Sequence, residues 1–193
     1  MLIDIGKEQR WQDMYVHFSQ VTDKLDMGID RGILDTVIVL NLLGMPTIMS
    51  CEGHIDDSSG APWVDIEDPE ANQQTDSIGR LFKEAQIAYA QGLAAQDLFH
   101  RAHEARLEAL TKHLTHRATL LRYLATFYEH RQVPYDVRLV VQSKSAGRTR
   151  LESQGASLQE IASPERRAQK LAEYQNEMHA FTAFLKELFF TQG

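Results

Sequence analysis

The chain contains a single cysteine. That excludes a disulfide framework and is the usage expected of a reducing compartment, so a cytoplasmic location is the expectation. No apolar run approaches the ~18 residues that a membrane-spanning helix requires. Asp4 and Lys7 interrupt the N-terminus before a signal-peptide core could form, which argues against a secretory leader. Positive charge is in deficit: 20 Lys+Arg against 27 Asp+Glu leave a formal charge of −7. Neither nucleic acid nor anionic lipid is therefore an expected partner. A glycine-rich phosphate loop, a G-x-S-x-G elbow and a Cys-x-x-Cys pair are missing as well. Nucleoside triphosphatases, α/β-hydrolases and zinc ribbons drop out as leading readings.

What is present suits one globular domain. The 193 residues are 43% hydrophobic and 24% charged, close to the globular average. Trp11, Met14, Tyr15, Phe18 and Val21 recur at helical spacing and predict an amphipathic helix from Lys7 to Leu25, followed by Asp30 as the N-cap of a second helix. That second helix, Ile33 to Leu43, is apolar nearly all round and reads as buried, closed by Gly44 and Pro46. Thr47–Ser50 and Trp63–Glu67 read as strands, with Ile55–Pro62 as a loop and 68–76 as a polar linker.

From about Thr75 to Arg131 the composition is helical, with breaks expected near Gly79 and Gly92. Leu107, Leu110, Leu114, Leu121, Leu124 and Tyr128 form a heptad seam in which Arg117 takes one slot. A second seam, Leu171, Tyr174, Met178, Phe181, Leu185 and Leu188, belongs to a helix capped by Ser163 and begun by Pro164. The two are expected to pack on each other or across a dimer. Between them, Val137–Gln142 and Thr149–Glu152 flank a turn at Ser145-Ala146-Gly147 and predict a hairpin. The expected architecture is α+β: a small sheet of about four strands covered by helices, with a long helical hairpin. Residues 1–68 and 133–155 would form the α/β core of a single domain, and 75–131 and 163–190 its long helices.

The densest chemistry lies in Thr47-x-x-Ser50-Cys51-Glu52-Gly53-His54. A glycine between Glu52 and His54 permits a positive φ and a turn tight enough to bring thiol and imidazole together. An adjacent imidazolium would stabilise the thiolate, making Cys51 a nucleophile, His54 its base and Glu52 an orienting or proton-accepting group. Cys-x-x-His is also legal metal spacing. A metal at Cys51 and His54 would need further ligands, with Asp56, Asp65 or His17 as options. A buried cysteine beside a turn-capping histidine is the bland alternative.

The string Gly28-Ile29-Asp30-x-Gly32-Ile33, with Leu40-Asn41-x-Leu43-Gly44-x-Pro46 through His54 and then Ala61-Pro62-Trp63-Val64-Asp65-Ile66, resembles uncharacterised bacterial and phage proteins. These share a T-x-x-S-C-E-G-H signature followed by a hydrophobic strand. The resemblance covers about residues 28–67 and implies a site without naming its reaction. More remotely, Ser50-Cys51-x-Gly53 is similar to the S-C-S-G-R stretch of the tRNA wybutosine-synthesis methyltransferase family. Glu52 and His54 depart from that family's Ser and Arg, and no activity is carried over.

Four cations, Arg138, Lys144, Arg148 and Arg150, fall on the hairpin and could form one basic patch for a phosphate or carboxylate. Asp65, Glu67 and Glu152 are the carboxylates that would otherwise neutralise it. The pairs His100/His103 and His113/His116 lack the H-E-x-x-H arrangement and read as surface histidines. The leading functional reading is a small cytosolic enzyme or ligand-binding protein. Its site would be centred on Cys51, Glu52 and His54, and Ser50, Asp65, Arg148 and Arg150 would bind an anionic small molecule. No particular cofactor is implied. The alternative is a non-catalytic homo-oligomeric binding or regulatory module assembled through the long helices, and a weaker one is structural zinc at Cys51 and His54.

Overall fold

A computed structural model describes residues 5–23, 25–55, 60–67, 71–145 and 147–191, with the main chain alone at 71–75, 112–113, 145 and 159–161. Its elements run α1 (Ile5–Ser19), α2 (Arg31–Leu42), β1 (Thr47–Cys51), β2 (Trp63–Glu67), α3 (Ala71–Ala90), α4 (Gln96–Phe127), β3 (Leu139–Ser145), β4 (Arg148–Ser153), a 3-10 turn (Ala156–Ile161) and α5 (Pro164–Thr191). The fold is α+β, and the strands make one antiparallel sheet in the order β1-β2-β4-β3. Among the described residues no helix is long and apolar enough to cross a membrane.

Strand alternation gives the sheet two chemically different faces. Register aligns Ser50 with Val64 and Leu151, and Ile66 with Thr149. On this face Val64, Ile66, Leu139 and Leu151 join the core with Ile33, Ile38, Val39 and Leu40 of α2 and Met178, Phe181 and Leu185 of α5. The apolar circumference of α2 is explained by its place, packed on β1, α1 and α5 at once. The opposite face carries Cys51 beside Trp63 and Glu152, and Met49 beside Asp65, Arg150 and Gln142.

The expected helical hairpin is present. Phe127 at the end of α4 meets Phe181 and Phe184 of α5, at ring separations of 5.2 and 5.5 Å. Close by, Arg131 donates to the buried Glu177 carboxylate through both Nε and Nη2. The α5 seam is buried from Leu171 to Leu185. Ser163 caps it as expected, receiving the Arg166 N–H. The α4 seam is buried on one side only, because Leu107, Leu114 and Leu121 remain exposed while Leu120 and Leu124 face the core.

Residues 75–131 hold two helices. Gly79 lies inside α3, whereas Gly92 at φ +70° turns the chain so that α3 folds back on α4, with Ala85 of α3 and Ala102 of α4 both buried. The first helix stops at Ser19, short of Leu25. The Asp23 carboxylate takes the N–H groups of Leu25 and Met27, closing a local turn that competes with helix. α3 begins at Ala71, inside the stretch expected to be linker, and of that stretch 68–70 lie outside the described residues.

Candidate functional site

The site is built where α2 begins and β1 ends. Asp30 occupies the N-cap position of α2, yet its side chain makes no capping hydrogen bond. Its Oδ2 instead accepts the Glu52 backbone N–H at 3.1 Å and lies 3.4 Å from His54 Nε2. The helix end is served from the other side: the Glu52 carboxylate accepts the Gly32 N–H at 2.7 Å, at the positive end of the α2 dipole. The two acids thus exchange the expected roles. Asp30 holds the loop, and Glu52 caps the helix from 20 residues away in sequence.

Two glycines make this possible. Gly53 sits at φ +82°, the positive φ that a glycine there permits, and a Cβ would come within 2.9 Å of the Ala61 and Pro62 backbone. Gly32 has no positive φ, but a Cβ would stand 2.6 Å from Glu52 Oε2. Gln175 of α5 donates to the Glu52 carbonyl at 3.0 Å, and the His179 ring bonds the Gly32 carbonyl at 2.8 Å. The loop is therefore clamped from α2 and α5 together.

The clamp brings Asp30, Cys51 and His54 together, with one ligating atom from each lying within 4.8 Å of the other two. Around a tetrahedral zinc such atoms stand about 3.3–3.8 Å apart, so small side-chain movements would close the triangle on an ion. Cys51 Sγ already accepts the Gly53 N–H at 3.3 Å, and Asp30 is held by Glu52 N–H. These are the outer contacts that fix metal ligands in orientation. The His54 and Asp30 side chains are 47% and 30% exposed, so the triangle is open to solvent.

In the sequence Cys51, His54 and Glu52 stand out as site residues and Asp30 does not, because aspartate before a helix is the ordinary N-cap. The available signal was Gly32, a poor helix former in a first turn that needs no positive φ, which marks a close approach by another group. Of the further ligands considered, His17 lies in α1 against Phe18, and Asp65 is engaged elsewhere. Asp56 lies outside the described residues. His100, His103 and His116 join no ligand group among the described residues: His100 pairs with Glu104, and His103 meets the Phe82 ring edge; the His113 side chain lies outside the described residues.

Asp65 is fully buried and binds both predicted arginines. Arg150 reaches it through Nε at 2.7 Å and Nη2 at 2.9 Å, and Arg148 through Nε at 2.9 Å with a second branch on the same oxygen. Burial pushes the Asp65 carboxyl up, but the hydrogen bonds and charges of Arg150 and Arg148 outweigh it and hold it below its usual range. The Asp65 hydrogen bonds raise Arg150 above its ordinary pKa against the effect of burial, and the Cys51 side chain is near enough to add to that rise. The two guanidiniums share this one carboxylate, and Glu152 adds a second negative charge near Arg150. Arg150 also stacks on Trp63, 3.8 Å from the ring centre. The Trp63 indole N–H is buried with no hydrogen-bond partner among the described residues, one strand from Cys51.

The four hairpin cations do not form one patch. Lys144 pairs with Glu152 at 3.4 Å, and Arg138 lies over the Tyr128 ring near α4. Ser50, on the other sheet face, lines a cleft with Phe18, Met27 and Ile48 rather than the Cys51 triangle. A separate cleft of about 240 Å³, lined by Gly32, Glu52, Pro62, Gln175, Met178 and His179, borders the loop.

Comparison of the chain with protein-family models, with curated proteins and with solved structures found no match to any of them. The functional reading therefore rests on this geometry.

Proposed function

We propose that the protein acts through a divalent-metal centre of the zinc type, with Asp30, Cys51 and His54 as its protein ligands. The carrying observation is the convergence of carboxylate, thiol and imidazole within 4.8 Å, held by main-chain hydrogen bonds to two of them. Three protein ligands leave a fourth position for water, the composition of catalytic rather than structural zinc. In this reading the metal makes its bound water a nucleophile or polarises a small anionic ligand. Arg150, close to Cys51, supplies the nearby cation, and the Trp63 N–H is a spare donor for the ligand. Glu52, Gly32 and Gly53 position the ligands without touching the ion.

Metal analysis of tag-free protein, wild type beside Cys51→Ser, tests the reading. Near one equivalent of zinc in the wild type and little in the variant supports it. Stripping the metal with a chelator should leave the far-UV circular dichroism intact, because the core lies on the other sheet face; unfolding would make the ion structural instead. Metal-free wild type would favour a second reading, which the 3.4 Å Asp30–His54 contact supports. The same groups would then act as a carboxylate–imidazole–thiol relay with Cys51 as nucleophile. Cys51 would alkylate faster in native protein than in free cysteine.

A further inference from the structure

The exposed side of α4 carries a pattern that its own fold does not use. Leu107, Thr111, Leu114, Ala118, Leu121 and Ala125 are all exposed and follow one another at alternating four- and three-residue steps. This is the spacing of a coiled-coil seam, with leucine at every second position and a small residue at each position between. The seam covers about 27 Å of helix. A helix face left to solvent has no reason to keep its leucines in strict seven-residue register.

From this we infer that α4 is the interface of a homodimer, two copies of the helix packing antiparallel about a twofold axis at His116. The geometry selects the occupant and the direction. With the axis there, Leu107 of one copy meets Ala125 of the other, Thr111 meets Leu121, and Leu114 meets Ala118, so each large side chain faces a small one. A parallel pair would stack leucine on leucine and leave the threonine and alanine layers between them underpacked. Charge agrees with the antiparallel choice. Glu108 and Arg122, both exposed, flank the same edge of the seam, and the twofold axis brings Glu108 of each copy beside Arg122 of the other. Thr115, midway between them, meets its own mate. The opposite edge of the seam, with Leu110, Arg117 and Leu124, is turned into the protein's own fold and is half-buried or buried. At its C-terminal end the seam runs into an open cleft of about 630 Å³ that includes Leu121, Ala125, Tyr128 and Arg138. The first turns of the other copy's α4 would cross its mouth.

Sedimentation equilibrium on the full chain tests this independently of the Cys51 site. The wild type should show a two-chain mass at tens of micromolar. Leu114→Glu should return it to one chain with an unchanged circular dichroism spectrum, since the residue is exposed in the monomer. Arg122→Glu alone should weaken association about tenfold or more, and Glu108→Arg with Arg122→Glu should restore it to within about threefold of wild type. Glu108 and Arg122 are fourteen residues apart on one helix, about 21 Å, so only a contact between copies can produce the rescue. A wild type that stays a single chain overturns the inference. So does a dimer indifferent to Leu114→Glu, or a double variant no better than Arg122→Glu.

Discussion

The two faces of the sheet are built from the same four strands and do opposite work. One face is aliphatic: Val64, Ile66, Leu139 and Leu151 are sealed under α2 and α5. The other interleaves Cys51, Trp63, Asp65, Arg148, Arg150 and Glu152, and its Asp65 is as thoroughly buried as any core leucine. Aliphatic packing is non-directional and gives stability, whereas a buried carboxylate gripped by two guanidiniums gives geometry. The comparison teaches that rigidity at the Cys51 edge comes from the polar face and the α2–loop clamp, while the free energy of folding comes mainly from the other side.

The largest effect should come from breaking the aliphatic face. Leu151→Ala should destabilise the protein by about 3–4 kcal/mol in denaturant titration, with metal content per folded molecule unchanged. Asp65→Asn attacks the polar face by leaving two part-buried guanidiniums without their carboxylate, and should lose about 3 kcal/mol. The pH dependence sharpens this. The folded-state pKa of Asp65 is depressed, so its contribution is present above the unfolded-state carboxyl range near pH ~4 and is lost as pH falls through the lower folded value. Wild-type stability should therefore drop on acidification more steeply than that of Asp65→Asn.

How much of this was legible in the sequence follows the same division. The aliphatic face, the α5 seam and the hairpin announce themselves through periodicity, because burial of one face imposes a period on the chain, whereas α2 is legible from an apolar run of helical length closed by Gly44 and Pro46. Gly53's positive φ was legible for a local reason, a turn between Glu52 and His54. The Asp30–Glu52 exchange was not, since it joins residues 22 apart and overrides the local preference of Asp30 for its own helix end. Heptads in α4 were visible, but not which edge of them the fold would leave exposed. Alternation groups Arg138 with the other hairpin cations because it gives a residue's face. It does not show that a long side chain turns aside to stack on Tyr128.

Smaller effects should separate the clamp from the ligands. Gly53→Ala places a methyl against the Ala61–Pro62 backbone at a positive φ. It should reduce stability by about 1–2 kcal/mol and metal affinity by about tenfold or more. Glu52→Gln keeps an oxygen for the Gly32 N–H but removes the charge at the helix end. Its stability should fall by only about 0.5–1 kcal/mol in the same denaturant titration.

The most direct test of the central claim is titration of the metal-free protein with cobalt(II), read by absorption. The account predicts one equivalent bound, with a thiolate charge-transfer band and the intense visible bands of a four-coordinate ion. The charge-transfer band should vanish in Cys51→Ser, and the affinity should fall at least about tenfold in Asp30→Asn but less in Glu52→Gln. Absence of the charge-transfer band in the wild type, or its survival in Cys51→Ser, would contradict the metal centre. Equal losses in Asp30→Asn and Glu52→Gln would contradict the assignment of Asp30 as the ligand and Glu52 as the helix cap.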